Sequence, residues 1–331
     1  MSDDSIVMFG FSILCIFFLL LGIILYRTDA AIQALCYFKD GGIYLVKNGR
    51  RLADDTPEDR RRLARWLGRF VIGLCKKVLL ANQFGSLAAA CKQAQEASVL
   101  FVWLYALAFL LQVYFDFSGY SDMAIGLGRI LGFHFPENFN YPYISSSITE
   151  FWRRWHISLG SWFRDYLYIP LGGSRKGKAR QLLNILIVWL ATGLWHGAAW
   201  TFVLWGLWHG AFCGAETLLD RNKTLKTHWY GHVYTLLVVI FGFVLFRAES
   251  LPQALMLLRT MLSGFTPVDA CRLALRNLLT VRTAVWCFVG VLACLPVWEH
   301  AKARFDGSRW FSPALDALTI VGLLLCLMQL A

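Results

Sequence analysis

Long uncharged stretches alternate with shorter basic stretches along the whole chain. An apolar stretch of about 20 residues is long enough to cross a bilayer as a helix. The predicted membrane segments are Ile6–Tyr26, Val71–Ala90, Val99–Phe117, a tight pair of helices within Gln181–Ala215, His232–Phe246, Ala284–Trp298 and Pro313–Leu330. The pattern gives about eight segments. It predicts an all-α polytopic membrane protein with a single domain over residues 1–331.

Two of these stretches contain residues that are unusual in a plain span. Lys76 and Lys77 interrupt Val71–Ala90, which indicates an interfacial or re-entrant segment. The span that begins at Val99 continues into a stretch of acids, aromatic residues and glycines that ends at Gly132. This composition predicts a broken helix that faces protein or a cavity and not lipid.

Basic residues are concentrated between the apolar stretches. Arg27–Arg69 holds ten Lys and Arg residues, and His134–Arg180 holds seven. Because cytoplasmic loops are enriched in these residues, both segments are predicted to be cytoplasmic. Residues 248–283 carry four more and fall on the predicted outer side, which opposes the rule locally. In the first basic segment, Thr56 followed by Pro57 predicts the N-cap and first residue of a helix.

Composition supports a membrane protein and argues against other classes. The chain is 57% hydrophobic and only 16% charged, whereas soluble domains are about 25% charged. The net charge of +11 is compatible with nucleic-acid binding. However, the basic residues lie between apolar spans, so we predict contact with anionic lipid headgroups and no nucleic-acid partner. The nine cysteines are scattered without a CxxC pair, which favours buried thiols and no metal site.

Ile148–Leu167 is predicted to be one amphipathic helix in the headgroup plane. Its apolar stripe comprises Phe151, Trp152, Trp155, Leu159, Trp162, Phe163 and Tyr166. Arg153, Arg154 and Arg164 lie off the stripe. The helix either only anchors the chain in lipid, with His156 as one more headgroup-level ring, or its arginines bind a phosphate-bearing donor.

A glycine-rich basic segment follows this helix. Gly172-Gly173-Ser174 precedes a cluster of Arg and Lys that ends at Lys178. Such a segment either cradles a phosphate through its backbone N–H groups or is simply a basic cytoplasmic turn. The spacing does not match a nucleotide-binding P-loop.

His196 is the most unusual ionisable residue, because it lies within the 35 uncharged residues of Gln181–Ala215. Burial disfavours the charged imidazolium, so we expect a neutral ring that can accept a proton from an attacking hydroxyl. Alternatively, it is a packing histidine, since Gly193 and Gly197 form a GxxxG motif that brings helices close. Gly206–Gly210 repeats the same pentapeptide, and in one continuous helix its His209 would point to another face.

Five motifs in order carry a resemblance to a known family. They are Tyr114–Gly128, Glu137–Tyr143, Ile148–Ser158, Arg164–Tyr168 and Gly193–Gly197. The chain resembles the membrane-bound O-acyltransferase family, and within it the membrane subunits that acetylate bacterial exopolysaccharides such as alginate. The resemblance implies tilted helices around a tunnel, a family-like core at about residues 70–250, and fewer N-terminal helices than in typical relatives.

The resemblance also implies roles for individual residues. His196 matches the family's catalytic histidine, and His156 matches a second active-site histidine at the cytoplasmic side. The predicted supporting or donor-binding residues are Asp116, Arg153, Arg154, Arg164, Asp165, Tyr168 and Trp195. For His209 we predict a structural role in the lining of the tunnel. The implied donor substrate is acetyl-CoA, with no bound cofactor and no metal.

These expectations together predict an O-acetyltransferase of the bacterial inner membrane. It would move acetyl from cytoplasmic acetyl-CoA to an alginate-like or cellulose-like exopolysaccharide, directly or through a periplasmic or membrane-tethered partner acetyltransferase. The close alternatives are D-alanylation of teichoic acid and O-acetylation of peptidoglycan. Alternatives from other classes are a transporter that uses buried histidines and an inactive scaffold subunit.

Overall fold

The computed structural model describes residues 46–47, 50–51, 57–93, 99–130, 133–219, 228–263, 276, 278, 280–305 and 311–330. The predicted span Ile6–Tyr26 and the predicted N-cap Thr56 lie outside these residues. The prediction that Pro57 begins a helix is confirmed.

The described residues are predominantly helical, as predicted. The α-helices are α1 (Pro57–Cys75), α2 (Asn82–Gln93), α3 (Val99–Ile130), α4 (Ile148–Arg154), α5 (Ile157–Phe163), α6 (Lys178–His196), α7 (Trp200–Leu218), α8 (Tyr230–Arg247), α9 (Leu251–Leu262), α10 (Val281–Ala293), α11 (Val297–Phe305) and α12 (Phe311–Leu330). Two π-helical turns (Lys76–Ala81 and Arg164–Tyr168) and a 3₁₀ turn (Pro142–Ile144) complete the helical elements. Strands β1 (Val46–Lys47) and β2 (Arg50–Arg51) form a small antiparallel pair.

Several described helices are long and apolar enough to cross a bilayer. They are Leu63–Lys92, Val99–Ile130 and Tyr230–Arg247, so the spans predicted at Val99–Phe117 and His232–Phe246 are confirmed. The predicted span Ala284–Trp298 coincides with α10 and α11, which meet at a bend of 67° and together form either a broken span or a re-entrant loop. Pro296 lies within this bend and cannot donate a backbone hydrogen bond.

The described helices form an all-α polytopic membrane protein whose outer faces suit lipid. The large side chains of α12 are mostly exposed: Leu318, Ile320, Val321, Leu324, Leu325, Leu327, Met328 and Leu330. An exposed apolar face of this length is rare in a soluble monomer and is expected of a helix in a bilayer.

The chain divides into two compact units. One comprises the described residues up to Phe70 together with Ala124–Phe135, and the other comprises Val71–Met123 and the described residues from Pro136 onward. The prediction of one domain over residues 1–331 stays a prediction. The second unit holds the main core, in which Phe115, Phe151 and Val239 are fully buried.

Lys76 and Lys77 do not turn their segment aside as an interfacial or re-entrant element. A π-turn joins α1 to α2, and the whole forms one candidate span. Lys76 Nζ lies 2.6 Å from a carboxylate oxygen of Asp122, and Lys77 Nζ lies 2.6 Å from one of Asp116. A charge within a membrane segment is tolerated when it is paired in this way. The segment can therefore be a span, because acids on a separate helix pair with its two lysines.

The predicted break after Phe117 is also wrong, because α3 is continuous over 32 residues. Its glycines provide close helix contact. A Cβ on Gly73 would lie 2.5 Å from the carbonyl oxygen of Gly119, and a Cβ on Gly119 would lie 2.7 Å from that of Gly73. Ser118 and Ser121 face protein as predicted, since both are buried, whereas the side chain of Asp116 is 41% exposed.

The predicted helix pair in Gln181–Ala215 is confirmed as α6 and α7. Gly193 lets the two helices approach, because a Cβ there would lie 2.6 Å from the carbonyl oxygen of Phe202. Gly197 lies beyond the last helical residue, His196, so the GxxxG motif does not continue along one helix. His196 and His209 therefore lie on different helices, and the comparison of their faces on a single helix does not apply.

Candidate active site

The segment predicted as one amphipathic helix, Ile148–Leu167, is broken at His156. Helix α4 ends at Arg154, and α5 begins at Ile157. His156 has a φ of 47°, a left-handed conformation that costs a non-glycine residue about 1–2 kcal/mol. Helical periodicity detects an apolar stripe but not a break of this kind. Phe151, Trp155 and Phe163 of the stripe are buried against protein, whereas Trp162 and Tyr166 are exposed.

Asn138 holds the chain in its broken form. Its side-chain oxygen accepts hydrogen bonds from the backbone N–H of Ser158 at 3.1 Å and from the hydroxyl of Ser158 at 2.6 Å. Its backbone carbonyl accepts the N–H of Ile157 at 3.1 Å. These donors lie in the first turn of α5, where no partner exists within the helix. Asn138 thus caps α5 directly after His156, and the sequence analysis did not identify it.

A buried glutamate holds the start of α4. Glu216 on α7 accepts hydrogen bonds from the backbone N–H groups of Ile148 at 2.7 Å and Thr149 at 2.9 Å. The hydroxyl of Thr149 adds a third at 2.6 Å. A carboxylate at a helix N-terminus satisfies free N–H groups and the helix dipole. Sequence reasoning missed Glu216, because nothing local links it to a helix 68 residues earlier.

A second cap at the N-terminus of α4 could have been predicted from the sequence. The hydroxyl of Ser147 accepts the N–H of Glu150 at 3.1 Å, and the Glu150 carboxylate accepts the N–H of Ser146 at 3.2 Å. The spacing of Ser147 and Glu150 is that of a capping box. Two capping systems therefore fix the helix that leads to His156.

His156 lies in a pocket of aromatic rings. Its ring centroid is 4.6 Å from that of Phe117 and 6.3 Å from that of Trp195. Burial lowers the pKa of His156 below its usual value, because the charged ring loses its hydration. The imidazole is therefore neutral at pH 7 and able to accept a proton.

His196 is the last residue of α6 and is half-buried, not fully buried as predicted. It lies at a helix end, and its ring contacts several aromatic residues. The ring centroids of Trp195 and Trp205 are both 4.9 Å away, and that of Phe246 is 5.2 Å away. The completely buried histidine is His209, with 0% exposure.

One tryptophan contacts both histidines predicted to be catalytic. Trp195 packs edge-on against His196 and against His156, and it is 59% exposed. The structure therefore brings His156 and His196 together from segments 40 residues apart in sequence. His209 packs against Trp205, at 5.4 Å between ring centroids. Its structural role stays a prediction.

The predicted donor-binding arginines differ in their surroundings. Arg154 donates two hydrogen bonds to Glu150, at 2.9 and 3.1 Å, and one to the carbonyl of Asn140. Arg164 pairs with the adjacent Asp165 at 2.8 Å, and both are exposed. Arg153 is exposed and donates to no carboxylate among the described residues. Among Arg153, Arg154 and Arg164, Arg153 is thus the arginine whose guanidinium is available to bind an anionic substrate.

Asp116 and Tyr168 are the remaining predicted supporting residues. Asp116 is paired with Lys77 on the neighbouring helix and is 41% exposed, which favours a structural role. Tyr168 lines a cavity of about 260 Å³ with Ile169 and the segment Gly172–Lys176. Gly172 and Gly173 have φ values of 105° and 54°, which glycine adopts without strain. The predicted phosphate cradle therefore coincides with a basic cavity.

The site is composed of aromatic rings and imidazoles. Within the described ranges no three His, Cys, Asp or Glu side chains lie close enough to share a metal ion. The arrangement can position the neutral imidazole of His196, which is only half-buried, as a base. This is what attack by a hydroxyl on an activated acyl group requires.

The relatives of this chain include proteins named for the transfer of acetyl or D-alanyl groups. A probable alginate O-acetylase of Azotobacter vinelandii is 49% identical over 190 residues, which cover 56% of this chain and 38% of that protein. A peptidoglycan O-acetyltransferase of Helicobacter pylori is 38% identical over 220 residues, 65% of this chain and 41% of that protein. A teichoic acid D-alanyltransferase of Bacillus subtilis is 33% identical over 161 residues, 44% of this chain and 41% of that protein.

The matched part is a substantial share of this chain but a smaller share of its relatives. The chain spans about two fifths of the length of the curated relatives that it matches. The model of the membrane-bound O-acyltransferase family matches residues 44–257, which include both histidines of the site and all the supporting residues. The match covers more than half of the chain and confirms the resemblance seen in its motifs: the protein belongs to the membrane-bound O-acyltransferase family.

Proposed function

We propose that the protein is an O-acetyltransferase of the bacterial inner membrane. It moves acetyl from cytoplasmic acetyl-CoA to a hydroxyl of an alginate-like or cellulose-like exopolysaccharide, directly or through a periplasmic or membrane-tethered partner acetyltransferase. The observation that carries this proposal is the meeting of His156 and His196 on Trp195. Membership of an acyltransferase family and the names of the relatives support the type of reaction.

In the proposed reaction, His196 is the base that accepts the proton of the attacking hydroxyl. Its neutral imidazole accepts the proton of the attacking hydroxyl, and the hydroxyl oxygen forms a bond to the thioester carbonyl carbon. The C–S bond then breaks, and the departing thiolate of CoA takes up the proton. General base action of this kind contributes about 10²–10⁴-fold to the rate. His156, neutral and in contact with Trp195, orients one of the two substrates.

The basic residues around the site suit a donor with phosphate groups. Arg153 is exposed and without a carboxylate partner in the described region. The cavity at Tyr168 is lined by Ser174, Arg175 and Lys176. Lys and Arg are the side chains that bind phosphate best. Both features lie in the segment that the positive-inside rule assigns to the cytoplasm, where acetyl-CoA is present.

The test is polymer-bound acetate in cells that lack the gene and carry wild type or a variant at matched membrane levels. We expect wild type to restore acetate and His196→Ala and His156→Ala to reduce it by at least about 100-fold and 10-fold, respectively. His300→Ala is the control, because this histidine is exposed and bonds only within its own helix turn. Full restoration by all variants would show that the histidines are structural.

A second measurement separates the proposal from its alternatives. Membranes that contain the full chain are incubated with acetyl-CoA and deacetylated alginate, and CoA release is measured. An acetyltransferase releases CoA in proportion to the acetate gained by the polymer. A transporter or scaffold releases none. Transfer to peptidoglycan or D-alanylation of teichoic acid, the activities named for two relatives, would instead identify a different acceptor or acyl group.

A further inference from the structure

Three aromatic side chains close one side of His196. Phe202 and Trp205 are on the first two turns of α7, and Phe246 is near the end of α8. Their ring centroids lie 6.3, 4.9 and 5.2 Å, respectively, from that of His196. Phe246 also packs on Phe202 at 5.0 Å and on Trp205 at 5.2 Å. We call these three residues the aromatic wall.

The aromatic wall is held in place from behind. A Cβ on Gly197 would lie 2.7 Å from the ring of Phe202, so this ring is already pressed against the backbone. Trp205 is only 2% exposed, and its indole packs on Trp152 at 5.5 Å and on His209 at 5.4 Å. Close-packed interiors resist movement. Trp205 therefore cannot move aside without displacing Trp152 and His209.

The reacting acyl group must lie beside this wall. If His196 removes the proton of the hydroxyl, that hydroxyl lies within hydrogen-bond reach of the imidazole. The acyl carbon then lies about 3–3.5 Å from the hydroxyl oxygen. Any chain attached to the carbonyl carbon extends from this point into the surroundings of His196. The aromatic wall contacts the imidazole on the side of α7 and α8, so a chain that extends toward these helices meets it.

The space at the wall decides how long that chain can be. A methylene chain inserted between two rings needs about 7–8 Å between their atoms, twice a carbon–carbon contact of roughly 3.5–4.0 Å. The ring centroids in the wall are 5.0 and 5.2 Å apart, so no chain passes between them. A methyl group can lie against the wall, whereas a propyl or pentyl group would collide with it.

We propose that Phe202, Trp205 and Phe246 limit the transferred group to a short acyl chain, so that acetyl is accepted and thioesters of four or more carbons are excluded. This inference rests on the proposed function and adds its specificity-determining residues. The transfer step itself is the one written above, with only the alkyl group changed.

The test is a chain-length profile. Membranes with the full chain receive acetyl-, propionyl-, butyryl- or hexanoyl-CoA together with deacetylated alginate, and ester formation is measured. One methylene too many in an apolar pocket changes a rate by about 10–200-fold. For wild type we expect at least about a tenfold fall from acetyl to propionyl and a further fall to butyryl.

Phe246→Ala and Phe202→Ala test the wall from two different helices. Each should raise the butyryl-to-acetyl ratio by about tenfold or more. Phe241→Ala is the matched control, because this residue is on α8 as well but packs on Trp103, at 5.9 Å. It should leave the ratio unchanged. Where an alanine variant fails to accumulate, Phe246→Leu and Phe202→Leu should still shift the ratio in the same direction.

The outcomes separate this inference from the proposed function. If wild type transfers acetyl and hexanoyl equally, or if both wall variants keep the wild-type ratio, the inference is wrong and the proposed function stands. If wild type transfers no acyl group in membranes of its native host, which retain any partner acetyltransferase, the proposed function is wrong. The wall is then judged by thermal unfolding with each acyl-CoA: selective stabilisation by acetyl-CoA that Phe246→Ala extends to butyryl-CoA supports it, and equal shifts in wild type overturn it.

Discussion

At the residue scale, Glu216 determines where α4 begins. It accepts three hydrogen bonds from Ile148 and Thr149, and it is 3% exposed. Glu216→Ala leaves these donors without an acceptor, at about 1–3 kcal/mol for each buried donor. We therefore expect a loss of several kcal/mol in unfolding free energy, and a smaller loss for Glu216→Gln, which keeps one acceptor oxygen. Denaturant unfolding in detergent measures both.

The control for this prediction is a glutamate that is charged but exposed. Glu249 pairs with Lys92, and its side chain is 69% exposed. Exposed ion pairs contribute about 0–1 kcal/mol, so Glu249→Ala should change the unfolding free energy very little. Equal losses for Glu216→Ala and Glu249→Ala would contradict the capping role.

His156 gives the molecule a dependence on pH. Burial lowers its pKa below the usual value of 6.5, so the unfolded chain takes up a proton first as the pH falls. Stability contributed by the neutral ring is therefore present above about pH 6.5 and is lost progressively below it. We expect the unfolding midpoint of wild type in detergent to fall more between pH 7 and pH 5 than that of His156→Asn.

Asparagine is the appropriate replacement for His156. The residue has a φ of 47°, and asparagine enters this left-handed region more readily than most residues. The variant therefore removes the titrating ring and keeps the break between α4 and α5. Parallel pH curves for the two proteins would mean that the burial of His156 does not contribute to the pH dependence.

The two histidines of the site show what could and could not be predicted from sequence. His156 and His196 were identified because each is an ionisable ring in a motif typical of the family. Their meeting on Trp195 depends on the break at His156, which is fixed by Asn138 and Glu216. Asn138 and Glu216 are both distant in sequence from the helices that they cap. Hydrophobic periodicity therefore cannot predict these capping contacts.

At the element scale, two ion pairs join the helix of Lys76 and Lys77 to α3. The pair of Lys76 and Asp122 is the more buried, with side chains 24% and 15% exposed, against 31% and 41% for Lys77 and Asp116. Removing one partner of a buried pair costs about 3–5 kcal/mol, whereas replacing both by apolar residues is often neutral. We expect Lys76→Met to destabilise the protein more than Lys76→Met with Asp122→Leu.

The comparison between the two pairs tests this explanation. A double-mutant cycle on Lys77 and Asp116 should give a smaller coupling free energy, because water reaches both side chains. Thermal unfolding of the seven proteins of the two cycles, which share the wild type, measures both couplings. A larger coupling for Lys77 and Asp116 would contradict the role of burial.

The helices themselves were largely predictable. Long apolar runs identified α3, α8 and the pair α6 and α7, because a bilayer imposes length and composition on every span. The predictions were wrong where the conformation of a segment depends on contacts with another helix. Lys76 and Lys77 looked like an interruption until paired with acids on α3, and the glycines of α3 looked like a break although Gly119 packs on Gly73.

At the scale of the whole molecule, the pairing of α6 and α7 simplifies the topology. These antiparallel neighbours return the chain to the side from which α6 starts, whether or not they cross the full bilayer. Helix α8 is long and apolar enough to cross once. We therefore expect Ser174, before α6, and Glu249, after α8, to lie on opposite sides. The bond between Glu249 and Lys92 places the end of α2 on the same side as the end of α8.

The positive-inside rule then assigns the sides. The segment around Ser174 contains Arg175, Lys176 and Lys178 and should be cytoplasmic. We expect a membrane-impermeant maleimide to label Glu249→Cys in intact cells and to label Ser174→Cys only after the membrane that holds the protein is permeabilised. Wild type reports the background of the native cysteines, of which Cys91, Cys213, Cys294 and Cys326 are buried. Labelling of both variants in intact cells would mean that α8 does not span. Labelling of Ser174→Cys alone would reverse the orientation and place the donor side of the proposed reaction away from acetyl-CoA.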